Sequence, residues 1–481
     1  MVVSPFIQNL GKLYGYVVPS DLQPRGGGGP DLTDITPSLR EHCQQLCSAN
    51  VRTVAVRGNA CRSWDMLADC ANCVSKGMRM RDGHQLRPYQ EEALSLLRDS
   101  SDPSRLLSGN VRMPCGSGKT ALALCVAMKA EAMTLVVTNS NMASANFAEQ
   151  LQQIFTPPSR GVLVVDDTYT QRPGDLLRNR PGIVMCTYHT LTSDTATPFI
   201  RLLRALPYGL VILDEAQMSV ADKFQRVFDI PACAIISFSA TYYREDAKMD
   251  MLLNRVGPML VNVSRQSIVA AGYIPDVQRV EVHVPRGRCA SVVLQPHKMA
   301  VLMALIAQHA RLGDKMITFC DELGDMDEIC STVQGATVHA AVRVELIGPL
   351  TMNTKHADRL AMLSAFRACA GPVVIFMSRV ADTAINLPDA NVLIQTSCHD
   401  KSRNRVVQRT GRIQRRSDGR HVAYEIVTQG SAEEANVVER RACMDEEGYS
   451  TSIVYPFAQG GGGQPAIATA EYWPYMAGRF P

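Results

Sequence analysis

The chain has no apolar run long enough to cross a bilayer, which argues against a membrane-embedded protein. No basic, apolar and small-residue signal pattern opens it, so export is not expected. Charge of one sign is scarce as well. A formal net charge of +3 over 481 residues makes no strong claim on nucleic acid as a whole, although local basic clusters can still bind it. The 15 cysteines form no short framework and lie in apolar contexts, so they read as reduced thiols in an intracellular compartment. Hydrophobic residues at 46% and charged ones at 20% describe a soluble globular chain. At this length it exceeds one ordinary core and divides into two or three domains.

Two glycine runs punctuate the chain, "RGGGGPD" from Arg25 and "QGGGGQP" from Gln459, and both read as flexible linkers or tails. Between them, the stretch Pro285 to Lys298, "PRGRCASVVLQPHK", has little periodicity and separates two long alternations of apolar runs and helical patterns. Such alternation predicts two α/β units, each with a mostly parallel sheet. The expected division is a small N-terminal region over 1–80, one unit over 81–285, a second over 286–455 and a Gly-rich tail over 456–481.

In the first unit, "LLSGNVRMPCGSGKTALALCVAMKA" reads as strand, glycine loop and helix. Pro114, Cys115, Gly116, Ser117 and Gly118 form the loop, with Lys119 and Thr120 opening the helix. Backbone amides and the helix dipole suit a phosphate there, Lys119 neutralises the outer phosphates, and the Thr120 hydroxyl can ligate Mg²⁺. The first glycine of the common pattern is replaced by Met113. Further on, "YGLVILDEAQMS" is an apolar strand ending in Asp214 and Glu215. Carboxylates in that position face the crevice where α/β sheets bind ligands. Asp214 suits the Mg²⁺ shell, and Glu215 suits a base for the attacking water. Taken alone, an Asp-Glu pair after a strand is more often a helix start; paired with Lys119 it reads as a nucleotide-hydrolysis site.

The second unit carries "QRTGRIQRR", which sets Gln408, Arg409, Arg412 and Arg415 at helical spacing. Eight basic residues fall between Lys401 and Arg420. A solvated basic face is the plain reading of such a run. An arginine finger, with Arg412 and Arg415 stabilising charge on a transferring phosphoryl group, is the functional one.

These motifs in this order resemble the superfamily 2 helicases, and the chain from about Leu86 to about Val454 resembles the XPB family of DNA helicases and translocases. The narrower resemblance rests on "SATYYRED" (Ser239 to Asp246), "GYIPDVQRVEV", "RVADTAINLPDANVLIQTS" and "RRACMDEEGYS". It implies two tandem RecA-like P-loop domains, ATP and Mg²⁺ as cofactors, and DNA as partner through backbone contacts. It also implies 3′–5′ movement in transcription initiation or nucleotide excision repair, complex subunits as protein partners, and a nuclear location in a eukaryotic host. In "LRPYQEEAL" the resemblance makes Gln90 the adenine reader, with Arg87 beside it. It gives Asn139, Ser140, Thr187 and Tyr188 to the nucleic-acid backbone, and Asp382 with Thr383 to the motif where the second domain meets nucleotide and nucleic acid. Ser239 and Thr241 become the elements coupling hydrolysis to strand movement, and Arg244, Glu245 and Asp246 a strand-separating element. For those three charges a helix start, with acids favourable at its N-terminus, can hold at the same time.

Three departures accompany the resemblance. Ala216-Gln217 follow the Asp-Glu pair where the family usually ends in histidine; Gln217 can still hydrogen-bond to the nucleotide and the coupling elements, but it carries no charge. The span between Val284 and Met299 is short for the family's basic thumb, and residues 1–85 are short for its amino-terminal region. A nucleotide-gated DNA-binding scaffold with weak unwinding, or an RNA helicase, therefore stays open beside the DNA helicase. Cys43, Cys47, Cys70 and Cys73 have zinc-ligand spacing, but "SLREHCQQLCSAN" reads as a helix, so packed thiols are the better expectation.

Overall fold

A computed structural model describes residues 77–102, 105–166, 181–194, 197–241, 249–287, 289, 291, 293–339, 343–378, 387, 389–398, 402–414 and 419–457. Arg244, Glu245, Asp246, Asp382, Thr383 and Arg415, the four cysteines of the zinc pattern and both glycine runs lie outside the described residues. The main division of the chain falls between Val263 and Ser264.

The first unit runs β1 (Arg79–Met80), α1 (Pro88–Leu96), β2 (Gly109–Arg112), α2 (Lys119–Ala130), β3 (Thr134–Thr138), α3 (Asn141–Ile154), β4 (Phe155–Thr156), β5 (Val162–Val164), β6 (Ile183–Thr187), α4 (Tyr188–Thr192), α5 (Pro198–Ala205), β7 (Tyr208–Asp214), β8 (Ala232–Ser239), α6 (Met249–Arg255) and β9 (Met259–Asn262). Seven of its strands form one sheet in the order β5-β6-β3-β7-β8-β2-β9, and every neighbour in it is parallel. Parallel neighbours need crossovers, here mostly helical, and those helices cover both faces. That is why β3, β6 and β8 are buried at every position and read as unbroken apolar runs. Alternation still assigns each side chain to a face. Leu135, Val137, Val211 and Leu213 join one core, while Val136, Leu210 and Ile212 join the other.

The second unit runs α7 (Arg265–Ala270), β10 (Val277–Val284), α8 (Pro296–Leu312), β11 (Lys315–Phe319), α9 (Leu323–His339), β12 (Glu345–Leu350), α10 (His356–Ala368), β13 (Val373–Met377), β14 (Val392–Gln395), α11 (Arg403–Thr410), β15 (His421–Thr428), α12 (Ala432–Glu446) and β16 (Thr451–Val454). Its sheet, again seven-stranded, has the order β12-β13-β11-β14-β15-β10-β16, all parallel. The expected boundary at 285/286 lies too late. Strand β10 pairs with β15 and β16, so Val277–Val284 belongs to the second sheet.

Part of the second interior is polar. Arg279, Gln395, Arg409, Glu425 and Arg440 are each buried. Glu425 takes ion pairs from Arg279 at 2.5 Å and from Arg440 at 2.6 Å, and Lys298 pairs with Glu433 at 2.8 Å. Each charge is matched, which a low-dielectric interior requires. Among the described residues none of the ten cysteines is in a disulfide, and no helix is long and apolar enough to cross a membrane.

Candidate functional site

Strand order builds the site. Because β7, β8 and β2 are neighbours, the segments leaving their carboxyl ends meet at one edge of the first sheet. These are the loop from Pro114 to Gly118, the pair Asp214-Glu215, and Ser239-Ala240-Thr241. The Met113 amide donates to the Ser239 carbonyl at 3.0 Å, which ties the loop's entry to the end of β8.

The loop turns on two glycines in the left-handed region, Gly116 at φ 76° and Gly118 at φ 82°. A Cβ on Gly118 would lie 2.5 Å from Gln90 Nε2, so glycine is needed there for space as well as for conformation. Gly118 caps α2 without a side-chain hydrogen bond, which leaves first-turn amides for an anion. Ser117 is buried, and its hydroxyl donates to Pro114 O at 2.6 Å, bracing the loop from inside. Lys119 Nζ donates to Met113 O at 3.2 Å. Thr120 follows on the first turn, partly exposed.

Gln90, the expected adenine reader, is held at both ends of its amide. Its Oε1 accepts from Arg87 N at 2.9 Å, and its Nε2 donates to Gly118 O at 3.2 Å. It therefore fastens α1 to the phosphate loop, while Arg87 donates to Tyr89 OH at 3.2 Å.

Asp214 ends β7, and burial, then the neighbouring Glu215 charge, push its carboxyl up to about 7 against partial relief from Lys119. Two acids crowded beside one lysine form a donor set that a divalent cation would relieve. Asp214 and the Thr120 hydroxyl suit Mg²⁺ in this way. Glu215 holds φ 48° and ψ 53°, a left-handed conformation costing a non-glycine residue roughly 1–3 kcal/mol; such strain concentrates at functional sites. From Glu215 a line of hydrogen bonds runs outward. Gln217 Nε2 donates to Glu215 Oε2 at 2.7 Å. Ser239 Oγ lies 2.6 Å from Gln217 Oε1 and 2.6 Å from Thr241 O, and it accepts from Thr241 N at 3.1 Å. A neutral amide suits that place, since it donates to the carboxylate at one end and accepts from a hydroxyl at the other.

The Asp214 shift has a pH consequence. Its folded pKa stands above the ordinary 3.8, so the folded chain binds this proton more tightly than the unfolded one. The resulting stability is present below about pH 4 and is lost as pH rises through about 7. Asp214→Asn, neutral at every pH, is therefore expected to raise the melting temperature of the nucleotide-free protein at pH 8 and to change it little at pH 5. A melting difference equal at both pH values would contradict the assignment.

Of the residues expected on nucleic acid, Asn139 and Ser140 are partly exposed, and Ser140 caps α3 by accepting from Ala143 N at 3.2 Å. Thr187 is buried and caps α4. Tyr188 is fully buried and donates to Asp214 O at 2.9 Å. It is thus a core residue supporting the acidic strand end, a role hidden in the sequence because "TYHTL" reads equally well as a loop.

In the second unit the expected helical alignment of the basic run does not hold. Helix α11 ends at Thr410, and Gly411–Ile413 form a 3₁₀ turn. Arg412 sits on that turn, and partly exposed Gln408 stays on the helix. Arg409 belongs to no basic face. It is fully buried, pairs with Asp321 at 2.5 Å, donates to Gln395 Oε1 at 3.2 Å and lies 4.3 Å over the Phe319 ring. Asp321, Gln395, Glu425 and Arg440 form the support of α11, which motif reading missed. The available signal was weak: "QRVEVHV" alternates polar and apolar residues as a half-exposed strand does, yet Arg279, Glu281 and His283 are all buried.

A glycine loop, an acidic pair at an adjacent strand end and two parallel α/β sheets in one chain have the architecture of tandem RecA-like domains. Residues 277–461 match the family described as ERCC3/RAD25/XPB C-terminal helicase, and residues 83–244 match the res subunit of type III restriction enzymes. The second unit is thus similar to the C-terminal helicase domain of the XPB family.

Among similar proteins, the transcription and repair factor IIH helicase/translocase subunit XPB2 of Arabidopsis thaliana is 26% identical, across 88% of this chain and 56% of its own. The XPB subunit of Danio rerio is 29% identical, across 78% of this chain and 48% of its own. The chain spans about half the length of these relatives. Solved structures share the fold. Dbp5 of S. cerevisiae bound to RNA and ADP BeF3 has a TM-score of 0.54 at 16% identity, covering 78% of this chain and 90% of that one. The type ISP restriction-modification enzyme LlaBIII bound to DNA has a TM-score of 0.58 at 13% identity, covering 77% and 32%.

Proposed function

We propose that this chain is an ATP-dependent DNA helicase or translocase of the XPB type, coupling ATP hydrolysis to 3′–5′ DNA opening in transcription initiation or nucleotide excision repair. The observation that carries the reading is the hydrogen-bonded line from Glu215 through Gln217 to Ser239 and Thr241, which connects a hydrolytic carboxylate with the segment behind β8. In this reading Pro114 to Thr120 hold the phosphates, and Lys119 neutralises the outer ones. Thr120 and Asp214 hold Mg²⁺, whose charge offsets that of the phosphates. Glu215 takes the proton of the attacking water. Arg412, with Gln408 and Arg415 in its motif, supplies cationic stabilisation to the transferring phosphoryl group, and Asp382 serves the nucleotide from the second unit. Arg244, Glu245 and Asp246 act on the duplex. Partners of the kind named for the relatives, subunits of a transcription and repair factor, and a nuclear place in a eukaryotic cell go with this reading.

The test is ATP hydrolysis by the purified chain with single-stranded DNA, duplex DNA and RNA at one salt concentration, since phosphate contacts make affinity salt-dependent. DNA is expected to stimulate turnover more than RNA does. Stimulation by RNA alone makes the protein an RNA helicase, and turnover without unwinding of a tailed duplex makes it a scaffold. Triple alanine substitution at Arg244, Glu245 and Asp246 is expected to spare basal turnover and abolish unwinding.

A further inference from the structure

The stretch "RRACMDEEGYS", which enters neither the phosphate site nor the base, grips the turn that carries Arg412. Tyr449 is buried, and its hydroxyl donates to Gln414 Oε1 at 3.0 Å. The Arg265 guanidinium lies over the Tyr449 ring, 3.8 Å from its centroid. Arg265 is itself fixed, donating to Gly448 O at 2.8 Å and to Asp276 Oδ1 at 2.6 Å. Gly448 stands at φ 79°, and a Cβ there would lie 2.9 Å from the Gln266 side chain. Contacts therefore run without a break from the start of the second unit to a residue two places beyond Arg412.

The turn needs such support. Its closing backbone bond, Gln414 N to Gly411 O, is long at 3.4 Å, and 3₁₀ geometry is intrinsically poor. At its front, Arg409 is locked to Asp321 and Gln395. At its rear, the Tyr449 hydroxyl tethers the Gln414 side chain.

We propose that Tyr449 is a positioning residue for Arg412: its hydroxyl holds Gln414, and Arg265 holds its ring. This rests on Arg412 acting at the phosphoryl group. The rival is a core tyrosine whose hydroxyl merely finds an acceptor, as buried tyrosines usually do.

Tyr449→Phe separates the two, because it keeps the ring and the arginine stack and removes one oxygen. ATP turnover is expected to fall about tenfold, with KM unchanged and the melting temperature lowered only by the loss of one buried hydrogen bond, since small misplacements of a catalytic group are felt in kcat. In an Arg412→Ala background the same substitution is expected to have no further effect, because the group it positions is gone. Arg265→Lys, which loses the planar stack and the two-pronged grip, is expected to repeat this pattern. Parental turnover, a lower melting temperature at parental turnover, or an equal loss with and without Arg412 each overturns the proposal. Lys119→Ala measured alongside tells two failures apart. If Lys119→Ala hydrolyses ATP like the parent, the nucleotide reading falls and this inference with it. If Lys119→Ala is inactive and Tyr449→Phe is normal, only the positioning role falls.

Discussion

Replacing Glu215 by glutamine is expected to leave ATP bound and turnover reduced by about 10²–10⁴-fold, the range for removal of a general base. The substitution keeps shape and removes the proton acceptor. The fold should tolerate it, because Gln217 Nε2, now 2.7 Å from a Glu215 oxygen, can still donate to the new amide oxygen. Lys119→Ala is the companion. It removes the ammonium that answers the outer phosphates and also part of the relief that Asp214 receives, so hydrolysis is expected to disappear. Nucleotide binding by fluorescence and single-turnover hydrolysis on the same preparations check both. Parental turnover in Glu215→Gln would show that the base lies elsewhere.

Arg412→Ala is expected to cost about 10³-fold in turnover, within the range for an arginine acting on a phosphoryl transition state, and to change ATP affinity far less. The structure sharpens the choice of target. Arg409, three residues before it in the motif, is spent on Asp321, so Arg409→Ala would leave a buried carboxylate without its arginine, at a cost of about 3–5 kcal/mol in stability. Arg412→Ala and Arg409→Ala should therefore fail in different assays, the first in kcat with an intact melting curve and the second in melting. An Arg412→Ala protein that loses affinity while keeping turnover would make the turn a binding face.

Local chemistry explains what could be read early. The glycine loop before α2 depends on glycines at set spacing next to a strand, and each of those features is local, so the turn at Gly116 and Gly118 and the helix start at Lys119 are legible from their neighbours. Asp214 and Glu215 were recognisable for the same reason. Tyr188 reads as a nucleic-acid contact in the sequence because a hydroxyl beside a strand end has the same local pattern whether it points to a nucleic-acid backbone or, as here, to Asp214 O. Arg409 and Arg412 were set on one helix because nothing in "QRTGRIQRR" marks where α11 gives way to a 3₁₀ turn.

The sequence by itself determined two parallel α/β units, a glycine loop between a strand and a helix and an acidic strand end, since apolar runs, glycines and motif spacing act over a few residues. Only the tertiary structure decided that β10 belongs to the second sheet, that Gln217 joins Glu215 to Ser239, and that Arg409 is internal while Tyr449 holds Gln414. Each of these depends on strand order and on pairings between distant segments. In such places burial, and not residue type, decides whether a charge faces a partner, a ligand or water.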